Sequence, residues 1–367
     1  MLDLRVIGSL GYRDVLLPEL ELHEGGGIEG FQIRDGDQYA VSTDAMEDLC
    51  RYIEAPFGFV RKLADGNKGH VVAYLQQQLA SAFATRPVTM VTCPTSTLVE
   101  GSAPGSGTTI VSFTDQELLH YPGPDLVAID RLLAEAAAGS PLELRARVQD
   151  GPDVEYQLVY RVPQEIAGES WRWGYRLEIS AAGHHEPRWS TMLVRGGCGS
   201  QIFLTAKQYR VPLPGGPTVE DRWSTIAQLI AGPPTTEWRF IGNQIERLQQ
   251  AASVAEVKLV RSKLRRGLMV DKDDRETGDR IDQACRWRDI DQKYDFKNMP
   301  FKPTSRWFQR ASTPVPVIDL VLLTAREATH APNTVDPKKR RDLLGLAGKL
   351  LIGVPDLVDL PPDMTWP

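Results

Sequence analysis

The spacing of apolar residues along the chain changes near residue 218. Before this point, short stretches alternate between apolar and polar residues and are broken by glycine, which is typical of β-strands. After it, apolar residues recur every three or four positions, which is typical of amphipathic helices. The pattern predicts an α+β fold with a mixed or antiparallel sheet and packed helices over residues 1–217. A mainly helical C-terminal region follows over residues 218–367.

Several segments of the first part are predicted to be strands. Alternation in "GFQIRDGDQYAVS" predicts a hairpin that turns at residues 35–37. The stretch "HVVAYLQQQ" at residues 70–78 also favours a strand, and residues 142–213 form the clearest β region. Alternation in "SWRWGYRLEIS" at residues 170–180 predicts a strand with one buried face and one solvated face.

The segment "TDAMEDLCRYIEAPFGFVRKLA" at residues 43–64 predicts two short helices joined by a tight turn, the first capped by Thr43 or Asp44. Such a pair either reads a DNA groove or packs on a sheet. A DNA-recognition helix needs polar residues at its exposed start to contact base edges, whereas the second helix begins with the largely apolar "FGFV". Acidic residues on the first helix would repel phosphate. Packing on the sheet is therefore favoured, with the DNA-reading alternative left to the basic residues of the pair.

This segment resembles the opening of the DUF932 phage/plasmid-like proteins, in which a "Leu-Cys…Pro…Leu" helix pair recurs. "GYRLEISAAGHHEPRWSTMLVRGGCGSQIFL" is similar to the family's β region, whose strand ends in an Arg-x-x-Cys-x-x-Gly-like element, here Arg195, Cys198 and Gly199. The chain departs from the family where "CGSQ" replaces an Asn-Gly pair and "AAGHHEP" replaces a His-Asp-Gly-like turn. The resemblance covers residues 40–265 and implies a mobile-element setting, with no catalytic residues to transfer.

Composition places the chain among water-soluble globular proteins, with 42% hydrophobic and 25% charged residues. The four cysteines are scattered and none are paired at metal-ligand spacing, which favours a reducing cytoplasm over a disulfide framework. The apolar run "VIDLVLLTA" is far shorter than a spanning helix requires, and the N-terminus lacks the pattern of a secretory signal. We therefore expect a cytoplasmic protein, in the host cytoplasm if it is phage-encoded, without a membrane partner.

Charge is distributed unevenly. Residues 257–310 hold 15 basic and nine acidic residues, a net charge of +6, whereas the whole chain carries −6. Aromatic residues lie between the charges, so cations could follow a phosphate backbone while rings stack on bases. This pattern predicts binding of nucleic acid, with single strands favoured, by Lys258, Arg261, Lys263, Arg265, Arg266, Arg286, Trp287, Arg288, Arg306 and Trp307. The alternative is a solvated helical surface whose acids pair with its bases while the rings fill the core.

Other chemistry-bearing motifs favour ordinary structural roles. Adjacent histidines in "HHE" (His184, His185 and Glu186) point apart on a turn, so a solvated turn is favoured over a zinc site. "RGGCGS" is followed by a strand pattern and favours a β-bulge or tight turn with a buried Cys198 thiol over a phosphate loop or a nucleophilic cysteine. "DKDDRETGDRIDQ" favours a salt-bridged exposed segment over a calcium loop. No metal and no cofactor is predicted.

Three functions remain open from the sequence. The first is an accessory protein of a phage or plasmid that binds nucleic acid in DNA replication, recombination or host takeover. The second is an enzyme that uses Cys198 or the turn at His184, His185 and Glu186. The third is a structural protein that assembles into a homo-oligomer, its acidic bulk mating with its basic segment.

Overall fold

The structure is a computed structural model of the chain. It describes residues 7–25, 31–81, 87–95, 107–115, 121–139, 141–150, 152–204, 210–213, 218–231, 235–268, 274–295, 310–332 and 335–352. Arg306, Trp307 and the C-terminal tail after residue 352 lie outside these residues. Two β-sheets and the helices that pack on them account for most of the described chain, so the predicted α+β class is confirmed.

The first sheet has six strands in the order β1-β5-β6-β4-β3-β2. Only the pairing of β4 with β6 is parallel, and the other neighbours are antiparallel. The predicted hairpin at residues 35–37 is confirmed, since Asp35 pairs with Asp37 across Gly36, whose φ of +75° favours glycine. The strands are β1 (Gly11–Val15), β2 (Glu21–Glu24), β3 (Phe31–Asp35), β4 (Asp37–Val41), β5 (Val88–Pro94) and β6 (Thr108–Thr114).

Three helices cover one side of this sheet: α1 (Thr43–Tyr52), α2 (Phe57–Gly66) and α3 (Lys68–Ser81). The predicted helix pair is thus confirmed, but Ser42 caps α1 by accepting from the backbone N–H of Ala45. The predicted strand at residues 70–78 is wrong. That segment lies in α3, where Val71, Leu75 and Leu79 recur every four residues and are buried together. Burial of this stripe outweighs the strand preference of the paired valines.

The second sheet is wholly antiparallel, with the order β12-β11-β10-β8-β7. β13 adds to β11, and β9 adds to β10. These strands confirm the predicted β region at residues 142–213. They are β7 (Leu142–Asp150), β8 (Asp153–Tyr160), β9 (Gln164–Ile166), β10 (Glu169–Ser180), β11 (Arg188–Arg195), β12 (Gln201–Leu204) and β13 (Arg210–Pro212).

The prediction of one solvated face for β10 is wrong, because both of its faces are buried. On one face, Trp173 packs edge-on against Trp238, with ring centroids 5.1 Å apart. On the other face, Arg176 is 3% exposed and sits between the carboxylates of Glu155 and Glu178. Alternation therefore identified the two faces correctly, but it could not show that helices cover the polar one.

The remaining helices surround the second sheet and contribute to the same apolar core, which draws on residues from Ile7 to Leu351. A short antiparallel sheet pairs β14 (Ala251–Ser253) with β15 (Ser312–Pro316), and each of these strands directly precedes one of the helices. The division of the chain at residue 217 stays a prediction. The helices are α4 (Gly123–Gly139), α5 (Val219–Ile230), α6 (Thr235–Arg247), α7 (Val254–Leu268), α8 (Arg275–Ala284), α9 (Trp287–Tyr294), α10 (Val317–Thr329) and α11 (Pro337–Ile352).

Helix α11 lies directly against β12, and a glycine makes this approach possible. A Cβ atom at Gly348 would lie only 1.8 Å from the carbonyl oxygen of Phe203. No side chain fits there without moving the helix away from the strand. Gly348 therefore fixes how closely α11 approaches the second sheet.

We expect Gly348→Ala to lower the free energy of unfolding by about 1–3 kcal/mol, the usual range for overpacking a filled interior. Urea unfolding followed by circular dichroism measures this loss. The matched control is Gly242→Ala within α6, where the new Cβ would lie 3.9 Å from Ile166 Cδ1. This variant should be stabilised by about 0.5–1 kcal/mol, because alanine favours helix more than glycine does. Equal effects from the two substitutions would contradict the close contact of α11 with β12.

Candidate functional site

Helices α7 and α9, with Arg286 directly before α9, carry the part of the predicted nucleic-acid site that the structure describes. α7 begins with a capping box, in which the Ser253 N–H donates to Glu256 Oε2 (2.7 Å) and the Glu256 N–H donates to Ser253 Oγ (3.2 Å). Val257, Val260 and Leu264 form its buried stripe. This stripe turns the basic residues of α7 toward α8 and solvent.

Two of the predicted phosphate-binding cations share one carboxylate. Arg261 donates to both oxygens of Asp282, over 2.7 and 2.9 Å, and Arg265 Nη1 donates to Oδ1 over 3.0 Å. Burial alone would raise the pKa of Asp282, but Arg261 and then Arg265 hold it below its usual value. The charge of these two arginines is therefore partly neutralised within the fold, as the alternative of paired acids and bases predicts for this part of the segment.

The predicted stacking rings on α9 also pack within the protein. Trp287 is half-buried, with the Arg261 guanidinium 4.6 Å from its ring centroid. Tyr294 packs against the core and donates its hydroxyl to the backbone oxygen of Ser312. Arg286 pairs with Asp289 over 2.9 Å, but both side chains are about half exposed, so this pair contributes little.

Lys258 differs from the other basic residues of α7. Burial, followed by the positive charge of Arg261, lowers the pKa of its amine to about 7. The amine thus titrates near neutral pH. An anion bound beside it would favour the protonated form and would couple binding to proton uptake.

Lys263, Arg266 and Arg288 are exposed, as a site for an external polyanion requires. Lys263 and Arg266 lie three residues apart on α7, and residues at this spacing share one side of a helix. Arg266 also donates to Ser262 Oγ within the same helix, over 3.2 Å. Arg286 of the predicted site is also exposed, but it pairs with Asp289.

Helix α11 adds a second set of cations that the sequence prediction missed. Its start holds the run "KKRR" at residues 338–341, of which Lys339 and Arg341 are exposed. A Cβ at Gly267 of α7 would lie 3.0 Å from Leu343 Cδ1, so the two helices meet one turn after this run. The run of four basic residues is visible in the sequence, but it lies beyond residue 310, where the predicted basic segment ends.

The charge on these two packed helices is unusual for the chain. α7 and α11 together contain ten basic and two acidic residues, a net charge of +8. Since the whole chain carries −6, the rest of it carries −14. Folding therefore brings together two basic segments that lie about seventy residues apart in the sequence.

Arg341 connects this surface to the buried face of β10. Its guanidinium lies 4.0 Å from Glu178 Oε1 and is 46% exposed. Beneath it, Arg176 donates to Glu155 (2.7 Å) and Glu178 (2.8 Å), and its guanidinium lies 4.5 Å from the ring centroid of Phe203. Arg341 thus faces two carboxylates that Arg176 already binds, and it stays accessible to solvent.

The expectation of a solvated turn at His184 is wrong. His184 is 17% exposed, and its Nδ1 lies 3.2 Å from Asp153 Oδ1. Burial would lower the pKa of the imidazole, but Asp153, followed by the negative charges of Asp48 and Asp44, raises it to about 8. Since Asp48 and Asp44 belong to α1, His184 joins this helix electrostatically to the second sheet. No three His, Cys, Asp or Glu side chains among the described residues are grouped to hold a metal ion.

The predicted tight turn at Cys198 is confirmed, but its thiol is only partly buried. Cys198 Sγ lies 2.9 Å from Ser200 Oγ, and His330 Nε2 lies 3.1 Å from the Cys198 carbonyl oxygen. Burial would raise the pKa of this thiol, but hydrogen bonds from Ser200 and the positive charge of Arg195 lower it. The other three cysteines are buried. Cys198 is therefore the most accessible thiol of the chain.

Comparison of the sequence with models of known protein families finds no match. Searches among curated proteins and among solved structures also find no similar protein. The resemblance to the DUF932 family therefore stays a prediction. Within the described part of the chain, no helix is both long enough and apolar enough to cross a membrane.

The raised pKa of His184 makes stability depend on pH in a defined direction. The charged pair with Asp153 stabilises the fold below pH 6.5, and this contribution is lost as the pH rises through about 8. We expect His184 to contribute a fall of about 1–2 kcal/mol in the free energy of unfolding from pH 6.5 to pH 8.5, measured as the difference between the wild type and His184→Gln. In His184→Gln this fall should disappear, whereas the control His185→Gln should keep it. Urea unfolding across this pH range measures both, and an unchanged pH profile in His184→Gln would rule out the pair.

Proposed function

We propose that the protein binds nucleic acid through a surface formed by α7 and α11, called here the basic face. The exposed cations of the two helices are Lys263, Arg266, Lys339, Arg341 and Lys349. The observation that carries this proposal is the net charge of +8 on two helices that pack together in a chain of −6. A regular polyanion is the partner that such a surface attracts most strongly, because each contact releases condensed counterions.

The position of the charges on α11 supports a role outside the fold. A helix N-terminus carries a partial positive charge, so basic residues in the first turn destabilise the helix by about 0.3–1 kcal/mol each. α11 has no acidic residue in its first turn, and Lys338, Lys339 and Arg340 lie there instead. Bound phosphate would reverse this unfavourable interaction. On α7, Arg265 and Arg266 lie in the last turn, where cations suit the helix dipole, so they are a weaker sign of function.

The biological setting of the proposal comes from the sequence. The resemblance to DUF932 proteins implies an accessory protein of a phage or plasmid, and this setting suits a role in DNA replication, recombination or host takeover. The preference for single strands was based on aromatic residues of the C-terminal segment. Trp287 and Tyr294 pack against the core, and residues 296–309 lie outside the described residues. The basic face by itself contacts phosphate and suits single or double strands.

The test is a salt titration of binding with variants of the basic face. We expect the full chain to bind a labelled 20-nucleotide single strand, with affinity that falls steeply between 50 and 200 mM salt, as for about 6–10 phosphate contacts. Lys263→Gln, Arg266→Gln and Lys339→Gln combined should reduce the slope of log K against log salt by about 2, at about 0.7 per lost contact. Fluorescence anisotropy measures the affinity and the slope.

The matched control is Arg13→Gln, Arg34→Gln and Arg131→Gln combined. These residues are also exposed, and they lie on β1, β3 and α4, so the net charge changes equally. The control should keep the wild-type slope. Equal weakening by both triple variants would assign binding to general charge, and no binding at 50 mM salt would reject the proposed function.

A second candidate function is thiol chemistry at Cys198, favoured by its accessible sulfur and the donors around it. Ser200 and Arg195 stabilise the thiolate, which is the nucleophilic form. His330 contacts the carbonyl oxygen of Cys198 and so lies beside the same turn. This arrangement suits a nucleophilic Cys198 that is supported by neighbouring polar side chains.

We expect one rapidly reacting thiol per folded chain when the protein is treated with a coloured disulfide reagent at pH 7. Cys198→Ser should abolish this fast phase, because Cys50, Cys93 and Cys285 are buried. Cys50→Ser should leave it unchanged and serves as the control. Arg195→Gln should slow the reaction by raising the pKa of the thiol. A fast phase that persists in Cys198→Ser would remove this candidate.

A further inference from the structure

An exposed phenyl ring lies on α2, far in sequence from the basic face. Phe59 is 50% exposed, although large apolar side chains in the described chain are mostly buried. Its ring packs edge-on against Tyr74 of α3, with centroids 6.1 Å apart and planes at 84°. This T-shaped pair holds the ring in place, so its exposed side forms a preorganised surface.

Two glycines of α2 leave parts of its surface uncovered by side chains. A Cβ atom at Gly58 or Gly66 would have no neighbour within 4 Å. Gly66 lies seven residues after Phe59, two helical turns along the same side of α2. The surface of α2 at these two glycines is therefore open.

The two helices that carry the ring hold more basic than acidic residues. Lys62 is exposed one turn after Phe59, on the same side of the helix. α3 contains no acidic residue, and its exposed His70 lies one turn before Tyr74. Residues 57–81 contain three basic residues and one acidic residue, within a chain of −6. An apolar ring beside cations suits a ligand that is both aromatic and anionic.

We infer that Phe59 and Tyr74 form a stacking platform for an unpaired base of single-stranded nucleic acid, with Lys62 beside its phosphate. The start of α2 cannot read base edges in a groove, because its exposed residues are apolar. The same phenyl ring can stack on the face of any base that is not paired. This inference rests on the proposed function only for the identity of the ligand, and it places the preference for single strands on α2 and α3 instead of the C-terminal segment.

The test compares a 20-nucleotide single strand with a 20-base-pair duplex on the full chain. Phe59→Ala should weaken single-strand binding about 5- to 150-fold, the range for loss of one stacked base, and should leave duplex binding unchanged. Phe59→Tyr should restore single-strand binding, whereas Phe59→Leu should restore little of it. A strand with 2-aminopurine gives a direct signal, because its fluorescence is quenched on stacking.

The matched control is Phe240→Ala, which removes another exposed phenyl, on α6. It should leave the preference for single strands intact. Equal weakening by Phe240→Ala, or single-strand binding by Phe59→Ala equal to that of wild type, would overturn the platform while leaving the basic face standing. The basic-face triple variant separates the two proposals, since it should weaken duplex and single strand alike.

A second copy of this chain is the other partner that could cover the exposed Phe59 ring, and light scattering tests for such a dimer. A wild-type monomer supports the platform as an open surface. A wild-type dimer that Phe59→Ala converts to monomer would overturn it. Circular dichroism of each variant confirms folding, and because Phe59 is half exposed we expect unchanged spectra.

Discussion

The structure depends on the burial of a charged face of the second sheet. Arg176 lies between Glu155 and Glu178 and over the ring of Phe203, with its side chain 3% exposed. Such a group is costly to desolvate and is tolerated only when its partners are in place. A shift of one residue in the register of β10 would move Arg176 to the tryptophan face, so the cluster helps specify the strand pairing. It also requires cover from the C-terminal helices.

That cover decides where the positive charge lies. α11 approaches β12 closely because Gly348 has no side chain, and its start then places Arg341 above Glu178. α7 meets α11 at Gly267, so its exposed cations join those of α11. Within α7, cations that face α8 are satisfied by Asp282, whereas those that face solvent remain available. The basic residues of α7 thus fall into two groups, those that bind a carboxylate within the fold and those that are exposed to solvent.

The two proposed contacts differ in their physics. Long-range attraction to the basic face depends on salt and is insensitive to sequence or strandedness. A stacked ring acts only at contact and needs an unpaired base. Phe59 would therefore provide discrimination and the basic face would provide affinity. The chain outside α7, α11 and residues 57–81 carries −16, and this negative charge would repel a polyanion from other parts of the molecule.

Sequence alone determined the α+β class, the helix pair at residues 43–64 and most strands of the second sheet, because these depend on local periodicity. It could not decide that residues 70–78 form a helix, since short apolar runs suit either structure until packing chooses. It also could not tell which arginines of α7 meet a carboxylate, or that α11 would extend the basic surface. Those outcomes depend on contacts between residues far apart in the chain, and only the tertiary structure fixes them.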